Sequence, residues 1–335
     1  MGISINTNIA ASRASHFLAS NHANLQKSLD RLSSGRRITE PADDAGGLAV
    51  AMKMKHSIQG LSGASKNIGN AISFLQVQDG ILSSAGDIVS RMGELKGLYG
   101  DVLKSTTDKA TYDAEFSDLQ GQLYNLGLTK FNGIAVFGDL NSATGAAGTT
   151  NANSKVFGAD DADALNSLNV FITEDGSSGA QVTINQTLLL SAVTMTVANA
   201  GAANEAFTQI TWNEANGSAN AGNGAAENGD FSLAVNTAAN RFTLEDVSSG
   251  FFSQALENLA TARANNGGQV KRLQYAQADV ESKMTNMTAA HGRIMDVDIA
   301  AESSNLAKQQ ILVQASAAMT AQANSANDVA LLLLQ

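Results

Sequence analysis

The chain has 335 residues with one proline (Pro41), one tryptophan (Trp212), no cysteine and a formal net charge of −10. That length suits two or three compact domains, and the missing cysteines exclude disulfides, thiolate metal sites and cysteine nucleophiles. Residues 141–250 hold eleven acidic side chains against only Lys155 and Arg241, so the acidic excess sits mid-chain and nucleic acid is not an expected partner.

The N-terminal run MGISINTNIAASRASHF has no basic head followed by an apolar stretch, so no cleaved signal peptide is expected. No stretch reaches the roughly 18 apolar residues of a membrane span, so no membrane insertion is expected. Leu18, Leu25, Leu29 and Leu32 then mark one face of a first helix. Five basic residues against two acidic ones make positions 1–40 net positive.

After SSGRRITEPADDAGG a longer helix is expected, with Asp43 or Asp44 as its N-cap. Leu61, Ile68, Leu75, Leu82 and Val89 recur every seven residues along it. A second row, Phe74, Ile81, Ile88, Leu95 and Val102, repeats one position earlier in phase. Two rows about 100° apart predict more than one packing neighbour. A third helix carries Tyr112, Phe116, Leu119, Leu123 and Leu126, and the Phe131-Asn132-Gly133 turn after it predicts a small β-hairpin.

Residues 141–250 lose the helical period. Val170 and Ile172 alternate, as do Val182 and Ile184, and Phe231, Leu233 and Val235 are expected to form a hairpin with Phe242 and Leu244. Asn213–Gly229 reads as a Gly/Asn/Ala loop. The C-terminal helix is the most regular, with Val270, Leu273, Gln277, Val280, Met284, Met287, His291 and Ile294 alternating three and four apart. Gln277 and His291 in that seam either set register and partner number or mark a hydrated stretch. Leu306 and Val313 continue a seam toward the end, and from Gln309 onward the only charged residue is Asp328. So uncharged a helix is expected to be buried against other chains.

The fold class expected is mainly α at both ends, with long helices in a coiled-coil bundle and one small β-hairpin, around a β-rich variable insertion. Three blocks follow: 1–44 with 292–335, 45–140 with 251–291, and 141–250. The four histidines, His16, His22, His56 and His291, show no His-Glu-x-x-His spacing. No catalytic, cofactor or metal residues are assigned, and an enzyme is not expected. The expected subunit-interface and core seam is the leucine face of the first helix, the Leu61–Val89 row, the apolar positions Val270, Leu273, Val280, Met284, Met287 and Ile294, and Leu306 with Val313.

Two separated blocks carry a family resemblance. Leu32-Ser-Ser-Gly35, Arg37-Ile38, Asp43-Asp44-Ala45-Gly46 and Lys130-Phe131-Asn132-Gly133 are similar to the N-terminal conserved region of bacterial flagellin. Asp296–Ala301, Gln310-Ile311-Leu312, Gln314-Ala315 and Ala321-Gln322-Ala323-Asn324 are similar to its C-terminal region. The resemblance covers roughly residues 1–138 and 252–335. It implies a self-assembling subunit of the extracellular flagellar filament, a helical homopolymer, exported unfolded by the flagellar type III apparatus without a cleaved signal. It also implies partners: filament cap and hook-associated proteins, and a cytosolic chaperone at the C-terminal segment. In some members Toll-like receptor 5 reads the helices next to the core, which implies candidate contacts at Arg91, Glu94, Leu95 and Glu115. Gly93 departs from that pattern, and Leu95 also fits the second apolar row, the reading favoured for it. The alternatives are a hook–filament junction protein and a type III secreted protein that binds host surfaces.

Overall fold

The computed structural model describes residues 8–138, 167–198, 207–209, 228–234, 243–245 and 247–332. Among the described residues, six α-helices and seven strands follow in chain order: α1 (Ile9–Ser34), α2 (Ala45–Tyr99), α3 (Thr106–Gly127), β1 (Lys130–Phe131), β2 (Ile134–Ala135), β3 (Ser167–Phe171), β4 (Gln181–Asn185), α4 (Leu189–Ala192), β5 (Thr194–Ala198), β6 (Phe207–Gln209), β7 (Asn228–Ser232), α5 (Ser249–Met295) and α6 (Ile299–Leu332). The chain divides into two compact units, Met1–Gly60 with Ser282–Gln335 and Leu61–Glu281. The division falls inside α2 and α5.

In the first unit α1 and α6 pair antiparallel. Asn8 Nδ2 donates to Ala323 O at 2.9 Å near one end, and Arg31 lies 3.9 Å from Glu302 at the other. The helix ends are fixed by local chemistry. Asn8 caps α1 by accepting from Ala11 N, and Gly35 closes it at φ 69°, a conformation that costs glycine little. Asp44, not Asp43, caps α2: its Oδ1 accepts from Gly47 N at 2.8 Å. Asp298 caps α6 by accepting from Ala300 N and Ala301 N. A small core of Ile38, Ala51 and Met295, with Leu48 and Ile294 against it, holds the turn between α1 and α2.

In the second unit α2, α3 and α5 pack on one another. Asn266 of α5 donates to Leu75 O at 2.8 Å, and Arg263 grips Asp79 with two bonds of 3.0 and 3.2 Å, which sets α5 antiparallel to α2. Phe116 of α3 meets Phe252 of α5 edge to face at 6.1 Å. The expected row Leu61, Ile68, Leu75, Leu82 and Val89 is fully buried. A further row lies beside it: Ala64, Ala71, Gln78, Ala85 and Met92 are also buried. The second expected row ends at Leu95, because α2 stops at Tyr99 and Val102 is 94 % exposed in the turn beyond it.

The β1–β2 hairpin forms as expected, with Lys130 opposite Ala135 and both central residues at positive φ, Asn132 at 50° and Gly133 at 82°. That geometry is the two-residue turn that Asn-Gly favours. β3 and β4 pair antiparallel, Val170 opposite Val182. The hairpin read from Phe231 to Leu244 falls partly outside the described residues. β7 pairs with β5, Met195 opposite Phe231, and β6 takes the other edge of β5. Leu244 lies in a buried bend, Val235 and Phe242 lie outside the described residues, and Asn228 and Gly229 begin β7 rather than end a loop. Just before β5, α4 and its flanks bury Leu188, Leu189, Ala192 and Val193.

Candidate assembly surface

Along α1 the covered positions are Asn8, Ala11, Ala14, Leu18, Asn21, Leu25, Ser28, Arg31 and Leu32, mostly three or four apart. Along α6 they are Glu302, Leu306, Gln309, Val313, Ser316, Thr320 and Ala323. That is a heptad seam, but about half of its members are polar and several are small. Asn21 Nδ2 reaches Leu312 O and Ser316 Oγ, each at 3.4 Å, and Ser316 Oγ donates back to Leu312 O at 2.7 Å. Ser28 and Ser316 are buried, and Glu302 is buried beside Arg31.

Other large apolar side chains of the same helices point away from the seam. Phe17 is 62 % exposed, Met319 64 % and Ile311 65 %, and Ile9, Leu29 and Ile299 are exposed as well. Leu29, expected on the seam, therefore lies off it, while Leu18, Leu25 and Leu32 are half-buried on it. A helix pair whose seam is half polar and that shows phenylalanine, isoleucine and methionine outside it leaves more apolar surface uncovered than a self-sufficient coiled coil does.

The other expected seam positions separate into two groups. The Leu61–Val89 row, Leu273 and Val280 are buried inside the Leu61–Glu281 unit, with Val270 half-buried there. They build the subunit's own core. Met284, Met287, His291 and Ile294 are half-buried in the first unit, and Leu306 and Val313 lie on the α1–α6 seam. The residues that sequence reading missed are the polar seam members Asn21, Ser28, Glu302, Gln309 and Ser316. Their spacing of three and four was the only signal, and it is invisible to a search for apolar periodicity.

A charged cluster secures the turn after α1. Lys27 Nζ meets Asp43 at 2.5 Å, and Arg31 approaches the same carboxylate at 3.7 Å. Thr39 N and Oγ1 donate to it as well. The Lys27 hydrogen bond, with help from Thr39, holds the Asp43 carboxyl well below the usual carboxylate range. The Gly47 N–H, then the Arg37 guanidinium, lower that of Asp44. Behind this cluster Arg37 N donates to Met295 O and Val297 N to Gly35 O, with Arg36 and Asp296 forming a β-bridge.

At the expected receptor contact, Arg91 pairs with Glu94 at 2.7 Å and with Glu115 at 2.8 Å, all three partly exposed. Leu95 is fully buried, as the apolar-row reading requires. Gly93 sits against Phe252, where an added Cβ would lie 3.5 Å from the phenylalanine Cβ. Among the described residues no cluster of three His, Cys, Asp or Glu side chains could hold a metal ion. No helix among them is long and apolar enough to cross a membrane.

Residues 5–142 match the family model for the bacterial flagellin N-terminal helical region, and residues 250–334 match that for the C-terminal helical region. Over 99 % of both chains, the protein is 30 % identical to flagellin FlaB2 of Treponema pallidum and 31 % identical to a flagellin of Bacillus subtilis. It is 30 % identical, again over 99 % of both chains, to the flagellar filament 33 kDa core protein of Treponema phagedenis.

Proposed function

The chain belongs to the bacterial flagellin family and is a structural subunit of the flagellar filament, and from that premise we propose that copies join through the outward faces of the α1–α6 pair. The observation that carries this is the make-up of that pair: about half of its seam is polar, while Phe17, Ile311 and Met319 lie exposed outside it. Removing such side chains from water contributes about 1.5–3 kcal/mol each when fully buried. Neighbouring copies offer that burial, so residues 1–44 and 292–335 form the filament core. The helical block 45–140 with 251–291 forms the next layer, and 141–250 faces outward.

Ordering the terminal segments is coupled to polymerisation. Fixing a backbone costs roughly 1–2 kcal/mol per residue, and a polar two-helix seam returns little of it. A chain whose ends order only on assembly stays threadable for a type III export apparatus. It also leaves α6 open to a cytosolic chaperone, and after export to cap and hook-associated proteins at the growing tip. The receptor surface narrows to Arg91, Glu94 and Glu115, since Leu95 is inside.

Electron microscopy of the purified chain after salt-induced assembly tests the reading. Wild type is expected to give long uniform tubes. Phe17→Ser with Met319→Ser is expected to give none, with the thermal melt of the α2–α3–α5 unit unchanged. Normal tubes from that double variant would place the assembly surface elsewhere.

A further inference from the structure

Within the Leu61–Glu281 unit a cavity of about 560 Å³ opens between α2, the β1–β2 hairpin and the β3–β4 pair. That volume suits a small organic ligand. Its apolar wall includes Phe74, Phe131 and Phe171. Phe74 is buried and meets Phe131 edge to face, centroids 6.0 Å apart and planes at 77°, so the two rings form a right-angled corner.

Four asparagines also line it: Asn67, Asn70, Asn132 and Asn169. Asn67 and Asn70 are three apart on α2 and share a face. Asn132 stands in the hairpin turn and Asn169 on β3. Among the described residues the side-chain amides of Asn67, Asn70 and Asn132 make no hydrogen bond. Asn169 Oδ1 accepts from the Thr183 hydroxyl at 3.0 Å, which leaves its NH₂ donors for another partner.

No lining residue is charged. A carboxylate, phosphate or ammonium ligand would lose its water there without a countercharge. A wholly apolar ligand, such as a lipid tail or a leucine-rich peptide, would strip water from up to four amides and leave them unpaired, at a cost per group. What remains is a neutral molecule with one face rich in C–H and an edge rich in hydroxyls. A pyranose has that form: its C–H face lies on an aromatic ring, and an amide presents a donor and an acceptor to adjacent hydroxyls.

We propose that this cavity binds a neutral saccharide, with Phe131 against the sugar ring and Asn67, Asn70 and Asn132 on its hydroxyls. One such shallow site gives an affinity in the millimolar range. Repetition along a polymer multiplies the effective affinity for a surface that carries many copies of the sugar.

Saturation-transfer NMR on the full-length chain in its unassembled form tests this, so the outcome is independent of polymerisation. The probes are galactose, mannose and N-acetylglucosamine, each at about 10 mM, with N-acetylneuraminic acid as the charged comparison. At least one neutral sugar is expected to show transfer, with the acidic sugar showing less. Asn70→Ala, at an exposed position, is expected to weaken binding about fivefold, and Phe131→Ala at least about tenfold. No transfer to any of the three neutral sugars overturns the proposal. So does wild-type affinity in Asn70→Ala with an unchanged melt, or preferred binding of a Phe-Leu dipeptide amide over all three sugars.

Discussion

Asp43 and Asp44 are adjacent, yet they take different partners. Asp44 caps α2 through Gly47 N, whereas Asp43 receives Lys27, Arg31 and Thr39. Both carboxyls are held below their ordinary range. In the unfolded chain they protonate near pH 4, so below that point the unfolded state binds protons the folded state does not. Their contribution to stability is therefore present above about pH 4 and is lost as the pH falls below that. Circular-dichroism melts across that range should show a falling midpoint for wild type and a flatter one for Asp43→Asn with Asp44→Asn. Parallel slopes in the two proteins would remove these residues from the acid response. Asp44→Ala alone is expected to lower the melting midpoint at neutral pH, because it removes the N-cap of α2. Glu115→Ala, at a solvated ion pair, should cost under about 1 kcal/mol.

For α2 and α5 the apolar heptads did show which faces are covered, because leucine, isoleucine and valine advertise burial. Val280 and Leu75 are both buried, and Leu75→Asp or Val280→Asp should each destabilise the Leu61–Glu281 unit by at least about 3 kcal/mol. A chemical-denaturation midpoint close to that of wild type would refute this. What the sequence did not disclose is the partner of each face. The row Ala64–Met92 was hidden because alanine and Gln78 carry no strong hydrophobic signal, although burial there depends on small volume and on the Gln78 bond to Val136 O at 3.1 Å. The α1–α6 seam was half legible for the same reason: Leu18, Leu25 and Leu32 were found, and Asn21, Ser28 and Ser316 were not. Leucine spacing alone does not separate a helix's inner face from its outer one, and Leu29 is exposed. β5 and its pairing with β7 involve contacts distant in sequence, which no local pattern encodes.

Taken as a whole, the insertion is more firmly attached than its acidic, loop-rich sequence indicates. Leu189, Val193, Leu233 and Leu244 are fully buried. Asn258 of α5 donates to Ala192 O at 2.9 Å, and Asp113 of α3 accepts from Leu244 N at 2.8 Å. Replacing residues 141–250 by a short linker would uncover that apolar patch, so the excised chain is expected to melt lower than one cut only within 199–227. Differential scanning calorimetry of the two deletions distinguishes them, and equal midpoints would show the buried insertion residues to be dispensable. At the other end of the size scale, amide exchange should find Leu25 and Val313 weakly protected in the monomer and strongly in the filament. Strong protection in the monomer would separate ordering from assembly.

The β-bridge behind Asp43 has a mechanical meaning. The chain leaves α1 through Gly35–Arg37 and reaches α6 through Met295–Val297, and Arg37 N to Met295 O and Val297 N to Gly35 O fasten these two strands side by side. A rotating propeller applies torque to every subunit. With the strands fastened, pulling or twisting either one loads both, and neither can lengthen until two backbone bonds give way together. The two thin connections thus act as one doubled strap, which resists slippage in shear better than either would alone.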